Sequence, residues 1–520
     1  MTAPSGSDKK HEALGGKVSR GMSWMVIATV FGKAFSFITT FVLGILLTES
    51  DYAVYGIAMG IAAFAQVLRD GGMRQVLIQK QAHRYKSLSG PVFWLSAVFN
   101  GSAGTLLALA AWPLAALYSE PQLAPVLLAT AISIILTTPL GVYRAKMAVD
   151  LHYRRLAKLN TTSAFVRYSF MILFAVIGMG PLAFTLPLVC VALYEAFFGF
   201  MVTRDKPWTR PPRKRLWPAL WARSKWLVFG TFAMSTLRQG DYLVLGLLKV
   251  AGLLASGAVG QYVFAYQIAV QINVLVAVNL QTVLFPALSK LADEPQRHAA
   301  AVLRATRVMM LVGCGFGLGL ACTYEPIQTL LWEKKWENTV APVMWMAAFF
   351  PMRLLTSVLN SAYMSKGRFK EWFWLTLVQG TGMMIAATFA GSLFDTAGQI
   401  SLVIGIYFAL GVAPTVVWGL SRVGVPVKPT LAAIIPTWLI AAAAAAATIA
   451  IATNIQLPTI INPRATAAVE VLIRASIFSI LYLFALRTIT PAALTETIDI
   501  APKRIARPIK RIMLLKPTAA

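Results

Sequence analysis

Long apolar runs separated by short polar segments make up most of the chain between Met22 and Arg487. The runs fall at residues 22–47, 53–68, 91–117, 122–142, 159–179, 181–203, 225–249, 256–285, 303–323, 340–363, 371–391, 397–420, 429–453 and 466–487. Most approach the ~20 residues one helix needs to cross the hydrocarbon core of a bilayer. The pattern therefore predicts an all-α, polytopic membrane protein of about 14 transmembrane helices. The first run is too long for a signal-peptide core and no small-residue cleavage site follows it, so it is expected to be an uncleaved span. Pro139, Pro187, Pro351, Pro414 and Pro436 lie within runs. Membrane helices tolerate such prolines where neighbours satisfy the freed carbonyl, as simple kinks or as flexible points.

The longest polar interruption, RDKPWTRPPRKRLWPALWARSK at 204–225, separates the first six runs from the next six. Its prolines and charges forbid a span, and Trp208, Trp217 and Trp221 suit a membrane interface. The expected organisation is an N-terminal tail (1–21), an N-lobe of spans 1–6 (22–203), a basic linker (204–224) and a C-lobe of spans 7–12 (225–420). Two further spans (429–487) and a basic tail (488–520) complete it. A weak repeat crosses the linker: YRAKMAVDLHYRRL (143–156) leaves span 4 and NSAYMSKGRFKEWF (360–373) leaves span 10, with Met147 set against Met364. Two six-helix lobes of parallel topology predict a transporter with its site where the halves meet.

Charge sets the expected orientation. Of 47 Lys and Arg, 38 fall on one alternate set of segments, whereas the opposite loops hold only Lys249, Lys334, Lys335 and Arg464. Positive loops stay cytoplasmic, so both termini are predicted inside. The chain is 58% hydrophobic and 13% charged, which leaves no room for a soluble domain between spans. Its net charge of +27 is spread over short loops, so the expected neighbours are anionic lipid headgroups and not nucleic acid. The tail KRIARPIKRIMLLK (503–516) interleaves basic and apolar residues, as a segment lying on an anionic leaflet would; a disordered tail reads the same way.

Little in the composition points to covalent chemistry. Cys190, Cys314 and Cys322 lie in apolar runs and imply neither disulfides nor a metal site. His11, His83, His152 and His298 are not spaced as ligands. There is no GxxxxGK[ST] phosphate loop and no catalytic triad, so no enzyme, cofactor or metal is expected. A membrane glycosyltransferase or polymerase would need a catalytic acid and usually a large external loop, and neither is visible.

Ionisable residues within spans are the candidates for function, because each costs several kcal/mol to insert. The cations are Lys33, Arg167, Arg238, Arg353 and Arg474, and the acids are Glu195, Asp241 and Glu470. A net positive interior suits a pyrophosphate, which Arg grips bidentately and Lys attracts as a point charge. Lys33, Arg167, Arg238 and Arg353 are therefore the candidate substrate-binding cations. Structural pairing is the competing explanation: Arg238 with Asp241 (i,i+3), Arg474 with Glu470 (i,i+4) and Arg167 with Glu195 across helices. Glu195 and Asp241 are also candidates for ion coupling. Tyr262, Tyr266, Gln267 and Gln271 share helical spacing on span 8, as sugar contacts or as polar glue between helices. The external segment WEKKWENT (332–339) is a rim contact or a solvated loop.

Five stretches occur in a telling order: LRDGGMRQVLIQKQ (68–81), STLRQGDYLVLG (235–246), VGQYVFAYQIAVQ (259–271), LFPALSKLADEP (284–295) and LLWEKKWENTVAPV (330–343). Together they resemble the polysaccharide-transport flippases of the multidrug/oligosaccharidyl-lipid/polysaccharide exporter superfamily. The resemblance runs from about Met22 to Leu420. It implies a bacterial inner-membrane flippase whose cargo is an oligosaccharide repeat unit on undecaprenyl pyrophosphate. The cargo would pass to polymerisation of exopolysaccharide, capsule or O-antigen, with a polymerase and co-polymerase as possible partners. The alternatives within the superfamily are a lipid II flippase and a cation-coupled multidrug exporter.

Overall fold

The computed structural model describes residues 32–68, 85–150, 152–273, 279–455, 462–491 and 494–495. The start of span 1, nearly all of the 68–81 motif, His11, His83 and the 503–516 tail lie outside the described residues. Among the described residues, helix occurs within each of the fourteen predicted runs. In chain order the helices are α1 (Gly32–Leu46), α2 (Glu49–Leu68), α3 (Tyr85–Leu117), α4 (Leu123–Leu136), α5 (Thr138–Val149), α6 (Tyr153–Val176) and α7 (Leu182–Thr203). There follow α8 (Trp217–Val250), α9 (Ala258–Asn273), α10 (Asn279–Lys290), α11 (Pro295–Trp332), α12 (Val340–Ser365), α13 (Phe369–Leu393), α14 (Ala397–Tyr407), α15 (Ala413–Ser421), α16 (Val427–Asn454) and α17 (Pro463–Ile489). No strand occurs among the described residues. A π-helical turn, Phe408–Val412, joins α14 to α15. Among the described residues nine helices are long and apolar enough to cross a membrane, and the pair α4/α5, bent by 43°, adds a tenth. Pro139 opens α5 and lacks the N–H that would continue the ladder, which accounts for the bend. Pro187, Pro351 and Pro436 lie inside unbroken helices.

Two compact units divide within α8, between Ser235 and Thr236. In the first, α3 packs on α4, α6 on α7, and α4 on α7. Its core holds Val54, Ile57, Leu107, Leu123, Val126, Leu127 and Ile134. The basic linker is tied down in this unit. Asp205, 4% exposed, accepts hydrogen bonds from Tyr85 Oη at 2.7 Å and from the Arg210 guanidinium. Trp94 Nε1 donates to the Arg210 carbonyl at 3.1 Å, and Trp217 Nε1 to that of Pro212 at 3.0 Å. The lone acid of the segment is thus spent internally, leaving Arg213, Lys214 and Arg215 exposed.

In the second unit α11 is central: α12, α16 and α17 all pack against it, so the last two spans belong with this unit. The run GCGFGLGL serves two interfaces at once. A Cβ on Gly317 would lie 2.5 Å from the Ala347 carbonyl, and one on Gly313 2.6 Å from Leu354, both on α12. Gly315 and Gly319 instead face Tyr482 and Phe478 of α17 at 3.2 Å. Two interleaved small-xxx-small patterns thus let two helices approach opposite sides of α11.

The repeat across the linker is structural, in a register three residues from the predicted one. Lys146 Nζ donates to the Thr203 carbonyl at 2.9 Å, and Lys366 Nζ to the Val423 carbonyl at 3.0 Å, each pair 57 residues apart. Tyr143 packs on Gly199, and Tyr363 Oη donates to the Gly419 carbonyl at 2.8 Å. All four positions shift by the same 220 residues (143 to 363, 146 to 366, 199 to 419, 203 to 423). YRAK therefore aligns with YMSK, and Met147 does not align with Met364. The physical unit of the repeat is a lysine satisfying the otherwise unpaired carbonyls at a helix C-terminus.

Replacing Gly317 by Leu is expected to lower stability by at least the roughly 1–3 kcal/mol typical of overpacking, because the added atoms meet backbone. Gly101, whose Cβ would meet nothing within 4 Å, should accept Ala. Melting of the two purified variants in detergent compares them; equal midpoints would contradict the packing described.

Candidate functional site

The in-span charges separate into those already neutralised and those that are not. In the first unit Glu195 of α7, buried, pairs with Arg144 of α5 at 2.7 Å and not with Arg167. Arg144 was legible only as a loop charge, since the apolar run ends before α5 does. Arg167 on α6 is thereby left without an acid. It lies near Lys33 on α1, close enough for the two charges to repel, and beside Tyr55 and Tyr168. The Arg167 guanidinium sits 5.9 Å from the Tyr168 ring centre. Among the described residues neither Lys33 nor Arg167 has an ion-pair partner. Both are half-buried. Phe35 and Phe165 meet edge-on at 5.5 Å and hold α1 against α6 at this level.

In the second unit the expected Arg238–Asp241 pair does not form. Asp241, 0% exposed, accepts a 2.6 Å hydrogen bond from Tyr262 Oη, and its other carboxylate oxygen has no hydrogen-bond partner among the described residues. Arg238, one turn earlier on α8, has an accessible side chain and no acid beside it among the described residues. The i,i+3 spacing brings the two residues to one helix face, but Tyr262 from α9 takes the carboxylate.

Arg353 on α12 is the opposite case, with only 6% exposure. Its guanidinium lies 5.1, 5.3 and 5.4 Å from the ring centres of Tyr266, Phe350 and Phe408. It donates to Tyr266 Oη and, at 3.4 Å, to the Leu237 carbonyl. Phe408 reaches it from the π-helical turn, an irregularity that nothing in the apolar pattern announces. The two candidate sugar-binding tyrosines are likewise engaged within the unit: Tyr262 holds Asp241, and Tyr266 Oη donates to the Arg238 carbonyl at 3.1 Å. Gln267 and Gln271 are half-buried. Arg474 pairs with Glu470, as its spacing predicts, and also with Glu325 of α11 at 3.1 Å. The WEKKWENT segment is not wholly solvated. Trp336 is 0% exposed and stacks on Phe264 at 3.9 Å, while Glu333, Lys334 and Lys335 remain outside.

Among the described residues no cluster of His, Cys, Asp and Glu is arranged to hold a metal. What the arrangement offers is positive charge without acid partners, at Lys33 and Arg167 in one unit and at Arg238 in the other. Such groups bind anions; they do not by themselves break bonds.

Relatives place this geometry in context. The chain is 24% identical over 411 residues to the lipopolysaccharide biosynthesis protein WzxC of Escherichia coli (strain K12), covering 76% of this chain and 81% of the relative. It is 24% identical over 408 residues to the teichuronic acid biosynthesis protein TuaB of Bacillus subtilis (strain 168), with the same coverage. Its fold is similar to that of the lipid II flippase MurJ in an inward closed conformation, with a TM-score of 0.68 at 14% identity over 89% of this chain and 99% of that one. An inward-facing multidrug transporter of the MATE family matches with a TM-score of 0.57 at 13% identity, over 77% and 98% of the two chains. The family model described as polysaccharide biosynthesis protein matches residues 42–341, more than half of the chain, and the protein belongs to that family.

Proposed function

We propose that the protein flips an oligosaccharide repeat unit, carried on a polyprenyl pyrophosphate, across the bacterial inner membrane by alternating access, for assembly of a surface polysaccharide. The observation that carries this is the set of three in-span cations, Lys33, Arg167 and Arg238, that the described residues leave without an acid partner. An uncompensated cation in hydrocarbon is a cost unless a ligand compensates it. A pyrophosphate does so with several charged oxygens, and Arg supplies the matching fork. A cationic drug would be repelled by the same residues. The relatives named for lipopolysaccharide and teichuronic acid biosynthesis favour a glycan cargo. Lipid II is the second reading, favoured by the likeness to MurJ; it presents the same polyprenyl pyrophosphate.

An unneutralised cation attracts the anionic headgroup, while the polyprenyl tail stays in lipid. Movement then needs no covalent step. Of the two candidate coupling acids, Glu195 is committed to Arg144, whereas Asp241 keeps one oxygen without a hydrogen-bond partner. Asp241 is therefore the proposed site for a coupling proton or cation. The bias of loop charge favours both termini and residues 204–225 on the cytoplasmic side, and a polymerase and co-polymerase on the opposite side would receive the product.

Arg238→Ala and the double change Lys33→Ala, Arg167→Ala are expected to lower polysaccharide export at least tenfold in a flippase-null strain at wild-type membrane levels, with Arg238→Lys retaining part. Wild-type export from both Ala variants would reject the anion-binding role. A clean deletion with normal export and no paralogue would reject the cargo.

Orientation is checked separately. A cysteine at Arg213 should be protected from an impermeant thiol reagent in intact cells, and one at Lys334 should react. The reverse pattern would invert the topology.

A further inference from the structure

Arg353 looks, in sequence, like another substrate-binding cation. In the structure it faces ring surfaces and the Tyr266 hydroxyl, with the Asp241 charge acting on it, and its contacts converge on a neighbouring helix turn. We propose that Arg353 is a positioning residue: acting through Tyr266, it fixes the α8 turn that presents Arg238, and does not itself touch the ligand.

Donor chemistry gives the reason. A guanidinium has N–H donors and no acceptor. In its contact with Arg353, the Tyr266 hydroxyl must therefore accept. Its single proton is left for one partner, and that partner is the Arg238 carbonyl, 3.1 Å away. A second Arg353 nitrogen points at the Leu237 carbonyl at 3.4 Å, a weak contact to the adjoining peptide. One turn further along α8, Tyr262 donates to Asp241 at 2.6 Å. Tyr262 and Tyr266 are i,i+4 on α9, and so grip consecutive positions on one side of α8. A Cβ on Gly240 would lie 2.9 Å from the Met384 side chain, so α13 closes on the same turn.

The surroundings of Arg353 fit this role and not ligand binding. Three ring faces within 5.4 Å stabilise its charge by cation–π attraction. The same rings enclose the atoms a pyrophosphate would need to reach. The charges of Arg353 and Arg238 also repel each other, which favours an Arg238 guanidinium turned away from the cage.

This inference rests on Arg238 binding the anion, and the test separates the two ideas. Full-length protein in detergent is titrated with geranylgeranyl pyrophosphate, and hydrogen exchange is followed on peptides covering α8. Tyr266→Phe and Arg353→Gln are each expected to weaken binding by about tenfold, the scale of one charge-supported hydrogen bond. Exchange should accelerate only around Leu237–Asp241, with the melting midpoint near wild type. The double variant Arg238→Ala, Arg353→Gln should bind no worse than Arg238→Ala alone, because both changes disable the same contact. Losses that multiply would mean that Arg353 meets the ligand itself, and would overturn the proposal. So would Tyr266→Phe with unchanged binding and exchange. Exchange that rises across the whole unit with a lowered midpoint would reduce Arg353 to a general structural role and overturn it too. Should Arg353→Gln fail to fold, Tyr266→Phe, which removes one hydroxyl, carries the test. If Arg238→Ala alone leaves binding unchanged, the substrate-binding role of Arg238 fails, and the exchange pattern still decides whether Arg353 holds the α8 turn.

Discussion

A charge in hydrocarbon must be neutralised, wrapped or used. Insertion of an unpaired Arg or Lys at mid-span costs at least about 2.5–3.5 kcal/mol. The chain responds to that cost in three distinct ways, and the differences separate scaffold from site. Arg144 with Glu195, and Arg474 with Glu470 and Glu325, are neutralised by carboxylates. Arg353 is wrapped in aromatic faces and bonded to a tyrosine. Lys33, Arg167 and Arg238 have no carboxylate partner and no such cage among the described residues, Arg167 meeting only the Tyr168 ring at 5.9 Å, and these three are the proposed places for a ligand.

The neutralised pairs do architectural work. Arg474 reaches from α17 to the Cys322 carbonyl and Glu325 of α11, on the helix whose glycines already admit α17. Polar glue and small residues thus act on one interface, as expected where lipid offers no hydrophobic drive between helices. The last two spans are outside the repeat yet packed on the centre of the second unit. Lys146 and Lys366 show the same economy at helix ends, where each cation also satisfies a carbonyl.

Much of the fold was legible because one period dominates it. An apolar run of bilayer length has few outcomes besides a helix. The runs therefore located helices well, even where α4 and α5 bend at Pro139. The repeat is visible in sequence, but Met147 and Met364 give it a register three residues off, whereas what the two halves share is a Tyr-x-x-Lys whose lysine caps a helix end. The in-span ions can be read directly off the sequence, but of their three expected pairings only Arg474 with Glu470 forms. Helical spacing says that Arg238 and Asp241 share a face; it cannot say that Tyr262 arrives from α9 to take the carboxylate. Glu195 found Arg144 because α5 extends beyond its apolar stretch. Trp336, placed in the most charged external stretch, is buried because Phe264 offers it a stacking face, a tertiary contact with no local signal.

The unpaired cations also bear on how a carrier releases what it binds. Two opposite charges at 4 Å attract by about 4 kcal/mol at an effective dielectric of 20. A multiply charged pyrophosphate held by several well-oriented cations would then bind too tightly to leave. On the proposed reading, proximity of like charges supplies a counterweight. Lys33 and Arg167 repel each other, so holding both against one anion costs part of the attraction. When the helices carrying the two cations separate, the anion loses one of its two contacts and the affinity falls. A cation pair on two different helices, α1 and α6, is thus more useful to a transporter than the same charges on one rigid helix, because its ligand affinity depends on the distance that a conformational change alters.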